Sequence, residues 1–352
     1  MKKPDKIIIL LVCFACLAAA TAGAAFSIAQ YKPDGPDLIG KSWEISGPEA
    51  LRKGADDPAR HLASGDAETS VRIWQEITDW GGHGRLRLEA ALKWEDVRAG
   101  KNAWNKARLV LFQYNESERR IEMPDLVAAV DGTGGWKACR EVFEISPEAR
   151  KLKVEAHLSQ CTGEMWIDDV GLYGVVQTSL YTWAGRVLLG LWGFFFTVLL
   201  VCCLGAVQWR PAWLKAGLVV VFLAVIAGTT IPNDTKNQLK DGLENGIQSV
   251  GKSVGADKFI DNMPVDITKV GYFCLFAAAG WLLVVLLPGV RIYKIFAILA
   301  MLAAGTELVQ FFINERSPLV SDFAIDAAGG IAGTAVALLW VMGSDPCISP
   351  DF

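Results

Sequence analysis

The sequence lacks the marks of several large functional classes. Basic residues are in no excess: 34 Lys and Arg stand against 38 Asp and Glu, a formal net charge of −4. With no basic stripe to neutralise phosphates, a nucleic-acid partner is excluded. Histidine is scarce, three in the whole chain. None of the eight cysteines forms a C-x-x-C pair that recurs with His at zinc-ligand spacing, so a zinc site is not expected. No repeat of roughly 20–50 residues is visible. No pair of carboxylates stands in a recognisable glycosidase layout. No cofactor motif is read, and no cofactor is expected.

Apolar residues, by contrast, make up 52% of 352 residues, and there are 13 tryptophans. That is too apolar for an ordinary soluble chain. Lys2, Lys3 and Lys6 precede an apolar run from Ile7 to about Ala29. Two readings of residues 1–30 stay open. A signal peptide would be cut at the small residues Ala22-Gly23-Ala24, whereas a membrane anchor would use the whole run. On either reading the following segment is exported.

Residues 31–177 are polar and rich in turn signals. The runs "SVRIWQEI", "RLRLEAALKW", "ARLVLFQY", "LKVEAHL" and "MWIDDVGLYGVV" alternate apolar and polar residues or are β-rich. Clusters such as "DWGGHG", "NESE" and "DGTGG" separate them. Short strands with regular turns predict an antiparallel sandwich. The one competing helical pattern is "GPEALRKGA".

Five apolar runs follow, about Val187–Val207, Leu214–Ile231, Val270–Leu287, Ile295–Ile313 and Phe323–Met342. Each is close to the roughly 17–25 residues a membrane helix needs. They divide this part of the chain into two transmembrane helices (180–231), an extracytoplasmic loop (232–269), a three-helix region (270–342) and a cytoplasmic tail (343–352). Lys2, Lys3, Lys6, Arg210, Lys215, Arg291 and Lys294 all fall on one side when the spans alternate, and that side is expected to be cytoplasmic. The loop 232–269 carries five lysines on the opposite side, against that rule. Its Leu239, Leu243, Ile247, Val250 and Val254 make an apolar stripe, predicting an amphipathic helix at the interface.

The last two spans carry charge where lipid should be. Ala303, Glu307, Gln310 and Asn314 share one helical face, and so do Asp322, Asp326, Gly329 and Gly333. Ser317-Pro318 or Ser321 is placed to start the final helix, and Gly329 and Gly333 form a small-xxx-small pair that lets helices approach. A lone carboxylate at that depth costs about 2.5 kcal/mol or more, so Glu307 must be paired, protonated or beside water. Glu307, Gln310, Arg316, Asp322 and Asp326 are therefore read as one polar cluster. Its structural reading is a set of pairs that fixes helix register. Its functional reading is a ligand site in which Arg316 takes an anionic group.

The pattern Glu307, Gln310, Arg316, Asp322, Asp326, Gly329 or Gly330, and Gly333 resembles the signature of the VanZ-like membrane family. "TKVGYFCLF" resembles the entry to an earlier span of that family, with Thr268 and Tyr272 in place of its Asp and His and with Lys269 kept. The resemblance covers roughly residues 265–342. It implies a cell-envelope setting tied by name to glycopeptide antibiotic resistance, and implies no defined reaction.

"TGEMWIDDVGLYGV", with "GTGGWKACREVFEIS" and "NAWNKARLVLFQY" before it, resembles the strands of jelly-roll carbohydrate-binding modules. That resemblance, over about residues 40–175, implies sugar stacking on an exposed aromatic ring. Trp80 is the expected platform, while Trp104, Trp136 and Trp166 are expected in the core. Such folds sometimes hold calcium, here at Asp168 and Asp169. Cys139 and Cys161, the only cysteines in the polar region, are a candidate disulfide if it is exported.

Taken together, the expected fold is a membrane α-helical bundle plus an exported all-β jelly-roll sandwich. The expected setting is a bacterial inner or plasma membrane, crossed several times, with the sandwich on the extracytoplasmic side. The expected role is to bind a cell-envelope glycan or lipid-linked saccharide at the outer leaflet, in polysaccharide assembly or antibiotic tolerance. The bilayer, the envelope glycan and envelope assembly proteins would be its partners. One rival is an enzyme acting on a lipid headgroup, with Glu307 or Asp322 as general base. Another is a glycan-binding module on a purely structural bundle.

Overall fold

A computed structural model describes residues 6–46, 59–121, 123–207, 211–230, 267–313, 316 and 318–344. It divides into two compact units, Gln30–Thr178 on one hand and Met1–Ala29 with Ser179–Phe352 on the other.

The first unit is a sandwich of two antiparallel sheets. One sheet has the order β1 (Tyr31–Asp37), β10 (Thr162–Gln177), β5 (Arg85–Arg98), β8 (Gly132–Glu144), with β3 (Arg60–Ser64) also paired to β10. The other runs β2 (Glu44–Ser46), β4 (Ser70–Ile77), β9 (Lys151–Ser159), β6 (Ala107–Tyr114), β7 (Asp125–Val130). The period of two in the sequence is the cause. In β5, Leu86, Leu88, Ala90 and Leu92 point inward, and in β9, Leu152, Val154, Ala156 and Leu158 do the same. Met165 and Ile167 of β10 close the core. Each fully buried Leu contributes about 1.5–3 kcal/mol by leaving water.

Three expectations for this unit need correction. Cys139 and Cys161 are both free thiols. Cys139 pairs with Ala90 on β5, while the strand that follows Cys161 begins opposite Arg98. Eight residues of strand separate those positions, about 25 Å at ~3.3 Å per residue, far beyond disulfide reach. Burial pushes the Cys161 thiol up to about 11. Trp104 and Trp136 are exposed rather than core, at 60% and 52%. Trp166 lies on the outward side of β10, stacked on His61 with ring centroids 4.5 Å apart. Trp80, the expected platform, instead packs against the core, half-buried.

Asp168 and Asp169 sit at a β-bulge, where the β10–β5 register shifts between Asp168 and Gly171. Asp169 has φ 48° there, a conformation Asp tolerates better than most residues. The Asp168 carboxylate accepts the Asp169 N–H at 2.8 Å, so the calcium expectation finds a local turn bond. Among the described residues no group of three or more His, Cys, Asp or Glu is placed to hold a metal. The "GPEALRKGA" helix lies outside the described residues.

The second unit is helical. Its described helices are α1 (Lys6–Ser27), α2 (Ser179–Ala206), α3 (Ala212–Thr230), α4 (Ile267–Leu286), α5 (Ile292–Gln310) and α6 (Val320–Ser344). All six are long and apolar enough to cross a membrane. At 1.5 Å per residue even a 19-residue helix reaches about 28 Å, close to the hydrocarbon thickness. The chain is a multi-pass membrane protein. α2 begins at Ser179, before the expected Val187, because the helix carries Leu180, Trp183 and Arg186 ahead of its most apolar stretch. α1 is part of this packing: the Trp192 indole N–H donates to the Thr21 hydroxyl at 3.0 Å, both buried. The amphipathic helix expected in 232–269 falls almost wholly outside the described residues.

The tightest approach is between α4 and α6. A Cβ on Gly333 would collide with the Ala277 backbone, and one on Gly329 with the Phe273 backbone. Gly280 on α4 likewise faces Thr334, whose Oγ1 would lie 2.9 Å from an added Cβ. The glycines expected to let helices approach closely thus press α6 onto α4.

Candidate functional site

A cavity of about 190 Å³ opens where the C-terminal ends of α3 and α5 meet the N-terminal ends of α4 and α6. All five residues expected to form a cluster line it: Glu307, Gln310, Arg316, Asp322 and Asp326. Glu307 is 9% exposed, Gln310 6% and Asp326 4%.

The helix ends explain how charge is held there. Glu307 sits in the last turn of α5 and accepts hydrogen bonds on both carboxylate oxygens. The Gln310 amide donates to Glu307 Oε1 at 3.3 Å, and the Leu319 backbone N–H donates to Oε2 at 2.9 Å. Leu319 immediately precedes α6, so its N–H is one of the amides a helix start leaves unpaired. Glu307 therefore does from a neighbouring helix what a capping side chain does locally. Of the two expected starts, Ser317 lies outside the described residues, and Ser321 lies inside the helix and donates its hydroxyl to Asp322 Oδ1 at 3.2 Å.

Arg316 is placed by the opposite kind of helix end. Its Nη2 donates to the Gly228 carbonyl at 3.3 Å. Gly228 lies in the last turn of α3, where carbonyls lack intrahelical donors and the dipole favours a cation. Tyr272 of α4 also faces the guanidinium. Lys269 Nζ lies 3.4 Å from Asp322 Oδ1. That pair bridges α4 and α6, and Asp322 in the first turn of α6 also sits favourably in that helix's dipole.

Asp326 completes the lining one turn deeper on α6. Three carboxylates and two cations thus share the cavity (Glu307, Asp322, Asp326; Lys269, Arg316). Glu307 is committed to the helix start and Asp322 to Lys269. Asp326 and Gln310 remain placed to receive hydroxyls, and Arg316 beside Lys269 to receive an oxyanion. Among the described residues no group of three or more His, Cys, Asp or Glu is placed to hold a metal here, and Arg316 and Lys269 in the lining oppose a cation.

Thr229 and the Gly228 carbonyl were not anticipated. Nothing in an apolar run such as "FLAVIAGTT" marks one carbonyl as an arginine acceptor. Lys269 and Tyr272 did carry a signal, since a Lys and an aromatic three residues apart at the entry to a span share one helical face.

The VanZ/LLP1 family model matches residues 196–341. The match begins inside α2, earlier than the sequence resemblance, and ends in α6. The C-terminal region is VanZ-like. No curated protein matches the chain. Among solved structures, a family 4 carbohydrate-binding module is similar at 14% identity and TM-score 0.28, covering 37% of this chain and 77% of that one. The CBM22-1 xylan-binding domain from Paenibacillus barcinonensis is similar at 10% identity and TM-score 0.25, covering 43% and 88%. The enzymatically active domain of tailspike protein 4 from bacteriophage CBA120 is similar at 14% identity and TM-score 0.27. That similarity covers 44% of this chain but only 20% of the tailspike.

Proposed function

We propose that the helical bundle binds the polar head of an amphiphilic envelope molecule, a lipid-linked saccharide, at the outer leaflet. The observation that supports this reading is the cavity at the helix ends. It holds Arg316 and Lys269 beside Asp326 and Gln310, so a phosphate and sugar hydroxyls would both find partners. Its volume is about 190 Å³, below the ~300 Å³ at which drug-sized pockets begin. It therefore suits one phosphate or one sugar ring, with the lipid tail left in the bilayer and the rest of the saccharide outside. Glu307 acts as a positioning residue, fixing the start of α6 and with it Asp322 and Asp326. The outer-leaflet placement rests on the Lys/Arg bias of the short loops. The sandwich would engage the saccharide portion.

Native mass spectrometry of the full chain in mild detergent tests this. Wild type should carry a phosphate-bearing amphiphile as an added mass. Arg316→Gln should lose it at an unchanged melting temperature, within a few degrees. Equal retention by both proteins would refute the assignment.

A further inference from the structure

The three carboxylates of the bundle cavity are not held alike. Glu307 accepts from the Gln310 amide and the Leu319 N–H. Asp322 lies 3.4 Å from Lys269 Nζ and accepts from the Ser321 hydroxyl. Asp322 also sits in the first turn of α6, where the helix dipole favours an anion. Asp326 has none of this support. It is 4% exposed and lines the cavity, and among the described residues no hydrogen bond or ion pair reaches it. It lies in the second turn of α6, beyond the reach of the dipole. The charged groups that act on it most are Glu307 and Asp322, both of its own sign.

Asp326 also stands at the closed end of the space. It is the deepest lining residue of α6, as Tyr272 is of α4 and Glu307 of α5. One turn further in, Gly329 rests on the Phe273 backbone, where an added Cβ would collide, so α4 and α6 meet there. A group that enters past Lys269 and Arg316 therefore ends on Asp326. Among the described residues the lining carries one negative charge in excess, with Glu307, Asp322 and Asp326 against Lys269 and Arg316. A phosphate added to that set leaves at least two uncompensated negative charges among apolar helices, which is costly. A sugar hydroxyl would give Asp326 a donor and leave that excess standing. An ammonium gives it a donor and cancels one charge.

We infer that the head bound in this cavity carries an amine as well as a phosphate, with the ammonium on Asp326 and the phosphate between Arg316 and Lys269. This rests on the reading of the cavity as a phosphate-head site and adds what that head must also bear. Asp322, which marks the level of Lys269, and Asp326 are one turn apart, about 6 Å along the axis. A P–O–C–C–N link spans that step. Ethanolamine phospholipids contain the link, and so do 2-amino-sugar 1-phosphates on a lipid carrier. A free metal cation does not fit equally well, because nothing would screen it from Lys269 and Arg316, whereas a tethered ammonium arrives with its phosphate facing them.

The test is native mass spectrometry of the full chain in mild detergent with two pairs of probes. One pair is phosphatidylethanolamine and phosphatidylglycerol of equal chain length, and the other is glucosamine 1-phosphate and glucose 1-phosphate. In at least one pair the amine-bearing member should bind roughly tenfold tighter or more, the fold-change a charge-assisted hydrogen bond supports. Preference in the first pair names the lipid as the source of the head, and preference in the second names the amino sugar. Asp326→Asn keeps the side chain's shape and removes its charge. It should bring the preferred member to about the level of its amine-free twin, leave the twin's binding unchanged, and melt no lower than wild type. Arg316→Gln should lose both members. Equal binding of both members of each pair by wild type would overturn the inference and leave the phosphate reading standing, and so would a preference that survives Asp326→Asn. Binding of neither pair would remove the phosphate reading and the inference with it. The wild-type comparison decides even where the variant fails to fold.

Discussion

The sandwich and the bundle place charge by opposite rules. In the sandwich, ion pairs are spread along strands: Lys93 with Glu95, Arg85 with Glu144, and Arg87 and Arg140 with Glu89. Exposed pairs of this kind are worth about 0–1 kcal/mol each, so their positions are loosely constrained. In the bundle, the buried acidic groups among the described residues, Glu307 and Asp326, gather at one place, where helix ends supply amides and carbonyls as partners. Water tolerates a carboxylate almost anywhere, but hydrocarbon tolerates it only beside a donor. Charge in the bundle therefore marks a site by itself.

The sharpest contrast should come from glycine. Gly333→Leu drives a side chain into the Ala277 backbone, and separating α4 from α6 should cost about 3 kcal/mol or more. The expected readout is a large fall in melting temperature of the detergent-purified chain with loss of the lipid adduct. Gly135→Ala on β8 adds a Cβ with nothing within 4 Å and should change stability by less than about 0.5 kcal/mol. Comparable losses from both would erase the distinction.

Glu307 comes next. Glu307→Ala strands the Leu319 N–H and the Gln310 amide in a buried setting, a loss of about 1–3 kcal/mol. Glu307→Gln keeps an acceptor and should recover part of it. Thermal unfolding of both variants measures the difference. Indistinguishable variants would mean that Glu307 does not hold the start of α6.

In the sandwich, Glu155→Gln removes the negative charge and one of the two acceptor oxygens that face His157 and Lys153, and should cost about 1–2 kcal/mol at pH 7. Because the folded carboxyl is held below its ordinary 4.5, its stabilisation is fully present above that pH and lost as pH falls through the lower, folded value. Unfolding of the sandwich followed by tryptophan fluorescence should show wild type and variant converging as pH falls through and below the ordinary carboxylate range. A gap that widens on acidification would contradict the assignment.

The smallest effect concerns the thiols. With Cys161 pushed up to about 11, roughly 0.1% is thiolate at pH 8. Mass mapping should find slow native alkylation at Cys161, and free Cys139 and Cys161 after denaturation without reductant. A Cys139–Cys161 linked peptide would contradict the strand register.

The fold class was legible because both periods were clean. "SVRIWQEI" and "ARLVLFQY" coincide with β4 and β6, and each apolar run of the C-terminal half became a helix. The cluster of Glu307, Gln310, Arg316, Asp322 and Asp326 was legible from helical spacing and its cost in lipid. Which helices meet was not. Gly329 and Gly333 announce a close approach but do not name the partner, and α4 rather than α5 takes it. The tryptophans misled for a related reason. Apolar character says that a ring is worth burying, yet Trp136 and Trp166 fall on the outward side of their strands, which only register decides.

On the proposed function it is the bundle cavity, and not its charge alone, that holds an amphiphile's head. Ile325 lines that cavity without carrying charge. Native mass spectrometry of Ile325→Trp, which fills the space and leaves Glu307, Arg316, Asp322 and Asp326 in place, tests it most directly. The expected result is a folded bundle from which the phosphate-bearing amphiphile is absent. A folded Ile325→Trp protein that retains the amphiphile at the wild-type level would contradict it.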